Sequence, residues 1–359
     1  MSSPTPAADR EPHLSVRDEA KPFVLIAAVA AGIALNRIAG GTLARHHWIV
    51  QAGLFLVIFS IMAFVEISGV GQAFRKLKPT ALAVTTNYIV VPMFAWSLGW
   101  LLLRSYPDLW AGVILYTLTP CIGWYLIFID LAKGNMQWGL AMLPVDIILQ
   151  LLLLPIYLWL LIGNVVPIDI TTLIRSVAVF LVLPLAAAYA ARNLLIAWRG
   201  RAFTFGPYKH AMGELKLWAL VAAVIGIFAT QPRLANSELG QVGLIIATIT
   251  LFFLGVFAIA LAVGRTFKLG YADTTTMVFE ITARNSESVI GVAAVAFAGR
   301  PLVTLAILIG PIVELPALLA LSRVMLRLRK RWIWPDADRN STTPRAGDQR
   351  VHDDRPATA

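Results

Sequence analysis

The chain is short of charge. Only 14% of its 359 residues are Asp, Glu, Lys or Arg, against roughly a quarter in soluble domains, which excludes an ordinary water-soluble fold. Cysteine is almost absent. With Cys121 alone, the chain forms no internal disulfide and no multi-thiolate metal site. Histidines stand at 13, 46, 47, 210 and 352, all in tails or connecting segments, so no apolar segment carries an HExxH zinc site or a histidine base. An intramembrane enzyme would be left with Ser286 or Ser288 beside Glu287 and Arg284, which lacks a recognisable base. The net charge of +10 is spread over loop ends and tails rather than gathered on one face, so no nucleic-acid partner is expected.

What is present is apolar sequence, 58% of the chain, with a mean hydropathy of +0.74. It comes in blocks of about twenty residues, enough for a helix to cross a hydrocarbon core of about 30 Å. The reading is an all-α integral membrane protein with ten transmembrane helices, near 22–40, 48–69, 80–103, 109–132, 137–161, 172–194, 214–231, 240–263, 272–299 and 301–327. Residues 1–21 and 335–359 are polar and are expected to be flexible tails around a transporter domain at 22–334,. A cleaved signal peptide is not expected, because a mixed-charge stretch precedes the first apolar run,.

Lys and Arg at the ends of these spans alternate in number. One side collects Arg75, Lys76, Lys78, Lys133, Arg192, Arg199, Lys216, Arg265, Lys268 and the basic run Arg327 to Arg331, while the other has Arg37, Arg45, Arg104, Arg175, Arg233 and Arg300. The positive-inside rule then puts both termini in the cytoplasm and suggests a multi-pass protein of the plasma membrane.

Helix breakers divide the spans into two sets of five. The fourth is interrupted at Thr119-Pro120-Cys121-Ile122-Gly123 and the ninth at Thr282 to Ser288, while the fifth and tenth carry Pro144-Val145-Asp146 and Pro311-Ile312-Val313-Glu314. An odd number of spans per set inverts the second set relative to the first. Two inverted five-helix repeats, about 22–161 and 172–327, with broken fourth and ninth helices at matching positions, are the architecture of a secondary transporter.

Ionisable groups inside spans are few, and each needs a partner, a cavity or a task. They are Glu66, Asp130, Asp146, Glu280, Arg284, Glu287 and Glu314. On an unbroken helix Glu280, Arg284 and Glu287 would share a face. If the helix breaks near Arg284, freed carbonyls with the Asn285 and Ser286 side chains become hard oxygen ligands for sodium or a proton relay. Cys121 stands beside a proline that frees backbone groups. A lone membrane cysteine is commonly an inert small hydrophobe, yet a thiol at this break also suits a soft trivalent arsenic or antimony cargo. Asn87 is an in-span amide with either a cavity role or a plain interhelical hydrogen bond.

Several segments together resemble the bile acid:sodium symporter superfamily, and within it the arsenite efflux permeases. They are Asn87-Tyr88-Ile89-Val90-Val91-Pro92, Cys121 with Asp130-Leu131-Ala132-Lys133-Gly134 downstream, Gln150 with Pro155-Ile156-Tyr157, and Gly310-Pro311-Ile312-Val313-Glu314-Leu315-Pro316. The resemblance implies a panel and a core domain, with the broken fourth and ninth helices unwound where they cross and cargo near that crossing. By it, Cys121 and Glu287 would be the cargo and proton-coupling residues of an arsenite or antimonite/proton antiporter. Thr119, Arg284 and Asn285 join Cys121 as candidate cargo contacts, and Asp146 joins Glu287 in ion coupling. By similarity to the sodium-symporter branch, Glu280, Asn87 and the Asn285-Ser286 turn would fall on sodium-coordinating positions. The chain differs from the efflux permeases at Pro120, Ile129, Asp146 and Arg284-Asn285-Ser286, which keeps a second reading open. That reading is sodium-coupled uptake of an organic anion, with Arg284 meeting its carboxylate or sulfonate. No cofactor is expected beyond a coupling proton or sodium.

Overall fold

A computed structural model describes residues 16–39, 47–64, 70–121, 124–166, 170–230, 239–297 and 299–335. Most of the segments read as tails, and Glu66 in the second span, lie outside the described residues. The architecture is helical, with no strand among the described residues. In chain order the helices are α1 (Val16–Ala39), α2 (His47–Met62), α3 (Phe74–Leu103), α4 (Pro107–Thr117), α5 (Trp124–Leu131), α6 (Met136–Ile162), α7 (170–199), α8 (Lys209–Thr230), α9 (Leu239–Thr266), α10 (Tyr271–Thr282), α11 (Ser286–Ala296) and α12 (Pro301–Arg331). Helix α1 starts at Val16, inside the stretch read as a tail.

Among the described residues five stretches are long and apolar enough to cross a membrane: Phe74–Leu103, Met136–Ile162, Ile174–Ala229, Gly240–Thr266 and Pro301–Arg331. The third has 56 residues, about 84 Å at 1.5 Å per residue, which is more than one crossing needs. Gly200 divides it. Its φ of 82° lies in the left-handed region that glycine tolerates without a Cβ clash, and the chain turns there into α8.

Local chemistry explains the other boundaries. Pro107 and Pro301 occupy the first turns of α4 and α12, where a missing N–H costs no helical bond. Asn135 caps α6 by accepting from the Trp138 N–H at 3.1 Å,. Helices α5 and α9 end alike, on left-handed Lys133 and Lys268. In each case the next N–H reaches back to close the last turn, Gly134 to Ile129 at 2.7 Å and Leu269 to Gly264 at 2.8 Å,.

Packing sorts the helices into two groups. Helix α8 lies against α1 and α2, and the stretch Leu183–Phe203, which begins in α7, joins them on α2. In the second group α12 packs on α4, α9 and α11, while α10 packs on α9, α5 and α6. Close approach of α4 to α12 depends on Gly112, where a Cβ would come within 2.5 Å of the Val303 carbonyl. The groups meet where α11 touches α2.

Candidate functional site: the crossing of two broken helices

Helix α4 stops at Thr117 and α5 begins at Trp124, while α10 stops at Thr282 and α11 begins at Ser286. The two interruptions lie against each other as an antiparallel pair centred on Pro120 and Arg284. The Cys121 N–H donates to the Ala283 carbonyl at 3.1 Å, and the Asn285 N–H to the Thr119 carbonyl at 2.9 Å. Each break thus satisfies backbone groups freed by the other, in surroundings where unpaired ones cost several kcal/mol. Proline starts the first break because it lacks an N–H. The second opens at Ala283, whose φ of −69° and ψ of 140° are extended.

Glu314 of α12 fastens the crossing. Its Oε1 accepts the Arg284 backbone N–H at 2.9 Å and its Oε2 accepts the Tyr116 hydroxyl at 2.7 Å. Arg284 is 3% exposed. Its Nη1 donates to the Thr117 carbonyl at 2.9 Å, its Nη2 to the Ile281 carbonyl, and the guanidinium carbon lies 5.5 Å from the centre of the Phe252 ring. Asn285 caps α11, accepting from the Ser288 N–H at 3.1 Å. The Thr119 hydroxyl is 3.0 Å from the Asn285 carbonyl.

A cavity of about 230 Å³ opens beside this crossing. Cys121, Arg284, Asn285, Ser286, Glu287 and Glu314 line it, with Trp124 and, from α8, Lys216 and Leu220. Lys216 Nζ is 2.8 Å from Glu287 Oε2, so this ion pair spans the cavity between the two helix groups. Cys121 is a free, buried thiol. Thr119 is fully buried but does not line the cavity.

A second polar cluster lies deeper in the helices. Helix α3 takes an extra residue in its turn at Thr86–Val90, a distortion that re-aims side chains and is frequent at functional sites. Asn87 Nδ2 donates to Glu280 Oε1 at 3.0 Å, and the Tyr88 hydroxyl donates to the Asp146 carbonyl at 2.9 Å. The Asp146 and Glu280 carboxyl groups are neighbours in this cluster. Asn87 Oδ1, Asp146 Oδ2 and Glu280 Oε2 are buried without a hydrogen-bond partner among the described residues, as are the Thr275, Thr282 and Ser288 hydroxyls. This is a hard-oxygen set, suited by donor type to a proton or an alkali cation. Among the described residues no three His, Cys, Asp or Glu side chains cluster as a metal-binding group.

The candidate residues therefore fall into two sets. Cys121, Arg284, Asn285, Ser286 and Glu287 meet at the cavity, whereas Asn87, Asp146 and Glu280 form the inner cluster. The break at Ala283 separates Glu287 from Glu280, so the two do not share a helix face. Asp130 is exposed at the end of α5. The sequence marks Lys216 only as an orientation charge, and it gives Glu314 no role beyond its place as the acid of the run Gly310-Pro311-Ile312-Val313-Glu314.

Residues 51–234 match the profile of the Sodium Bile acid symporter family. The chain belongs to that family. It is a multi-pass membrane transporter rather than an enzyme. It is 24% identical over 362 residues to an arsenical-resistance protein of Corynebacterium glutamicum, with 96% of each chain covered. An arsenical-resistance protein of Alkaliphilus metalliredigens is 24% identical, over 77% of this chain and 80% of its own. An uncharacterised transporter of Synechocystis sp. is 26% identical, with 83% of each covered.

Proposed function

We propose that the protein exports arsenite or antimonite in exchange for protons, by alternating access across the plasma membrane. The observation that carries this reading is the Cys121 thiol in the wall of the crossing cavity. The arsenical-resistance relatives, which align over most of the chain, support it. A trihydroxy arsenic(III) species would exchange one hydroxyl for the Cys121 sulfur. The thiol proton leaves with that hydroxyl as water, and the reverse step releases the cargo. A single thiolate ligand holds a thiophile weakly enough to let it go, which a three-thiolate cage would not. Mutual packing of the two breaks supports grouping α4 with α5 and α10 with α11 as single spans. That makes ten spans in two inverted repeats, with both termini cytoplasmic by the charge alternation.

Asp146 and Glu280 supply the ion step in this scheme. Two ionised carboxylates in contact repel strongly in a low-dielectric interior, and a shared proton relieves the repulsion. Taking up and losing that proton on alternate sides couples the gradient to the cargo, with Asn87 holding Glu280 in place.

A second reading is sodium-coupled uptake of an organic anion, favoured by the apolar wall that Ile61, Leu217, Leu220 and Val224 give the cavity and by its cationic Lys216. One experiment separates the two. Arsenite uptake into everted vesicles is measured with proton and sodium gradients imposed separately. Uptake driven by an acid interior and lost in Cys121→Ser is the expected result. Wild-type uptake by Cys121→Ser, or no arsenite movement under either gradient, removes the metalloid reading.

A further inference from the structure

Arg284 carries its charge into an unusual place. Thr117 is the last residue of α4, and Ile281 lies in the last turn of α10. Carbonyls at those positions have no partner inside their own helix and carry the negative end of its dipole. Half-helix ends of this kind, together with unwound backbone, are where broken-helix carriers hold a mobile cation. Here both carbonyls accept from one guanidinium, Nη1 on Thr117 and Nη2 on Ile281. The Phe252 ring of α9 covers the same charge at 5.5 Å, a cation–π distance,. Among the described residues no carboxylate lies within ion-pair distance of this guanidinium, since Glu314 accepts the Arg284 backbone N–H instead. Its direct contacts are therefore two helix ends and an aromatic face, with the Glu280 and Glu314 carboxylates nearby, and together these make a cation site.

We propose that the Arg284 guanidinium is a tethered cation, filling the position on the crossing carbonyls that a mobile alkali ion would otherwise occupy. The transporter then needs no exchangeable cation at the crossing itself. The exchangeable charge is left to Asp146 and Glu280, whose unpartnered oxygens lie outside the guanidinium's bonds. The inference rests on reading the crossing as the transport site, and it is independent of which cargo is carried.

The test is to vacate the position and offer the ion back. Arg284→Ala removes the guanidinium and leaves the Thr117 and Ile281 carbonyls unpaired. Melting temperature is followed for purified wild-type and Arg284→Ala protein in sodium chloride, in millimolar guanidinium chloride, and in choline chloride at matched ionic strength. The variant should melt lower in choline and recover saturably with sodium or guanidinium, beyond any response of the wild type. Parallel responses of the two proteins overturn the proposal.

If Arg284→Ala cannot be purified, membrane yields of Arg284→Lys and Arg284→Gln decide. Lysine near the wild-type yield with glutamine severalfold lower supports a charge requirement, and equal yields contradict it. These readouts need no transport, so a failure to move arsenite leaves them standing. A flat salt response equally leaves the arsenite reading untouched.

Discussion

Lys216 on α8 lies 2.8 Å from Glu287 in the first turn of α11, and this pair bridges the helix group of α1, α2 and α8 to the broken-helix group. Both side chains are mostly shielded, at 25% and 18% exposure, so the pair is screened less than a surface bridge. The alternating access proposed above would move the two groups relative to each other and open this contact in one state. Lys216→Met should slow transport by about tenfold or more, because an unpartnered, part-buried carboxylate is left in the cavity wall. Lys216→Met with Glu287→Gln should be no slower than the worse single variant. Vesicle flux assays of the four proteins measure this, and additive losses would show that the two residues act separately.

Asp146→Asn and Glu280→Gln should insert at wild-type yield, since each removes one of two facing buried carboxylates and preserves shape. Gradient-driven uptake should fall at least tenfold in each, while cargo-for-cargo exchange persists. If either variant still accumulates cargo against its gradient at the wild-type rate, the ion step lies elsewhere.

Tyr116→Phe removes one hydrogen bond from Glu314, and Glu314→Ala removes both. Bonds to charged acceptors contribute about 1.5–3 kcal/mol each. The expected order of thermal stability in detergent is therefore wild type, then Tyr116→Phe, then Glu314→Ala. Equal melting of Glu314→Ala and wild type would mean that Glu314 does not fasten the crossing.

Gly310→Ala would place a Cβ about 2.4 Å from the Tyr116 ring. Overpacking of this kind costs typically 1–3 kcal/mol, and here it also pushes Tyr116 away from Glu314. Gly213→Ala, with nothing within 4 Å of its added carbon, is the control and should leave melting unchanged. A Gly310→Ala protein as stable as that control would show that the α4–α12 contact yields easily.

The breaks were legible in the sequence because their causes are local. Pro120 cannot donate, and polar residues from Thr282 to Ser288 interrupt an apolar run, so α4 and α10 end within a few residues of where those signals stand. Apolar block length likewise located the long helices, with α6 at 136–162 against an expected 137–161. Side-chain partners were not legible, because the sequence carries no direct record of what faces what across separations from 30 positions, as for Arg284 and Glu314, to 198, as for Tyr116 and Glu314. Helical spacing would join Glu287 to Glu280 only on an unbroken helix, and the sequence did not show that beyond the break at Ala283 Glu287 meets Lys216. Arg284 does line the cavity, but the sequence could not show that its donors reach two carbonyls that become free only when both helices break at matching depth.

Pairing of the two breaks also bears on how the chain is made. Thr119 and Asn285 lie 166 residues apart, so when a ribosome has delivered the first break into the membrane, the segment that completes it has not yet been synthesised. The first half must wait with peptide groups exposed to lipid or water, and the crossing closes only late in synthesis. Such long-range closure makes the early half a poor independent unit. A nascent chain truncated before Asn285 should accordingly be a target for membrane quality control, however well its apolar spans insert.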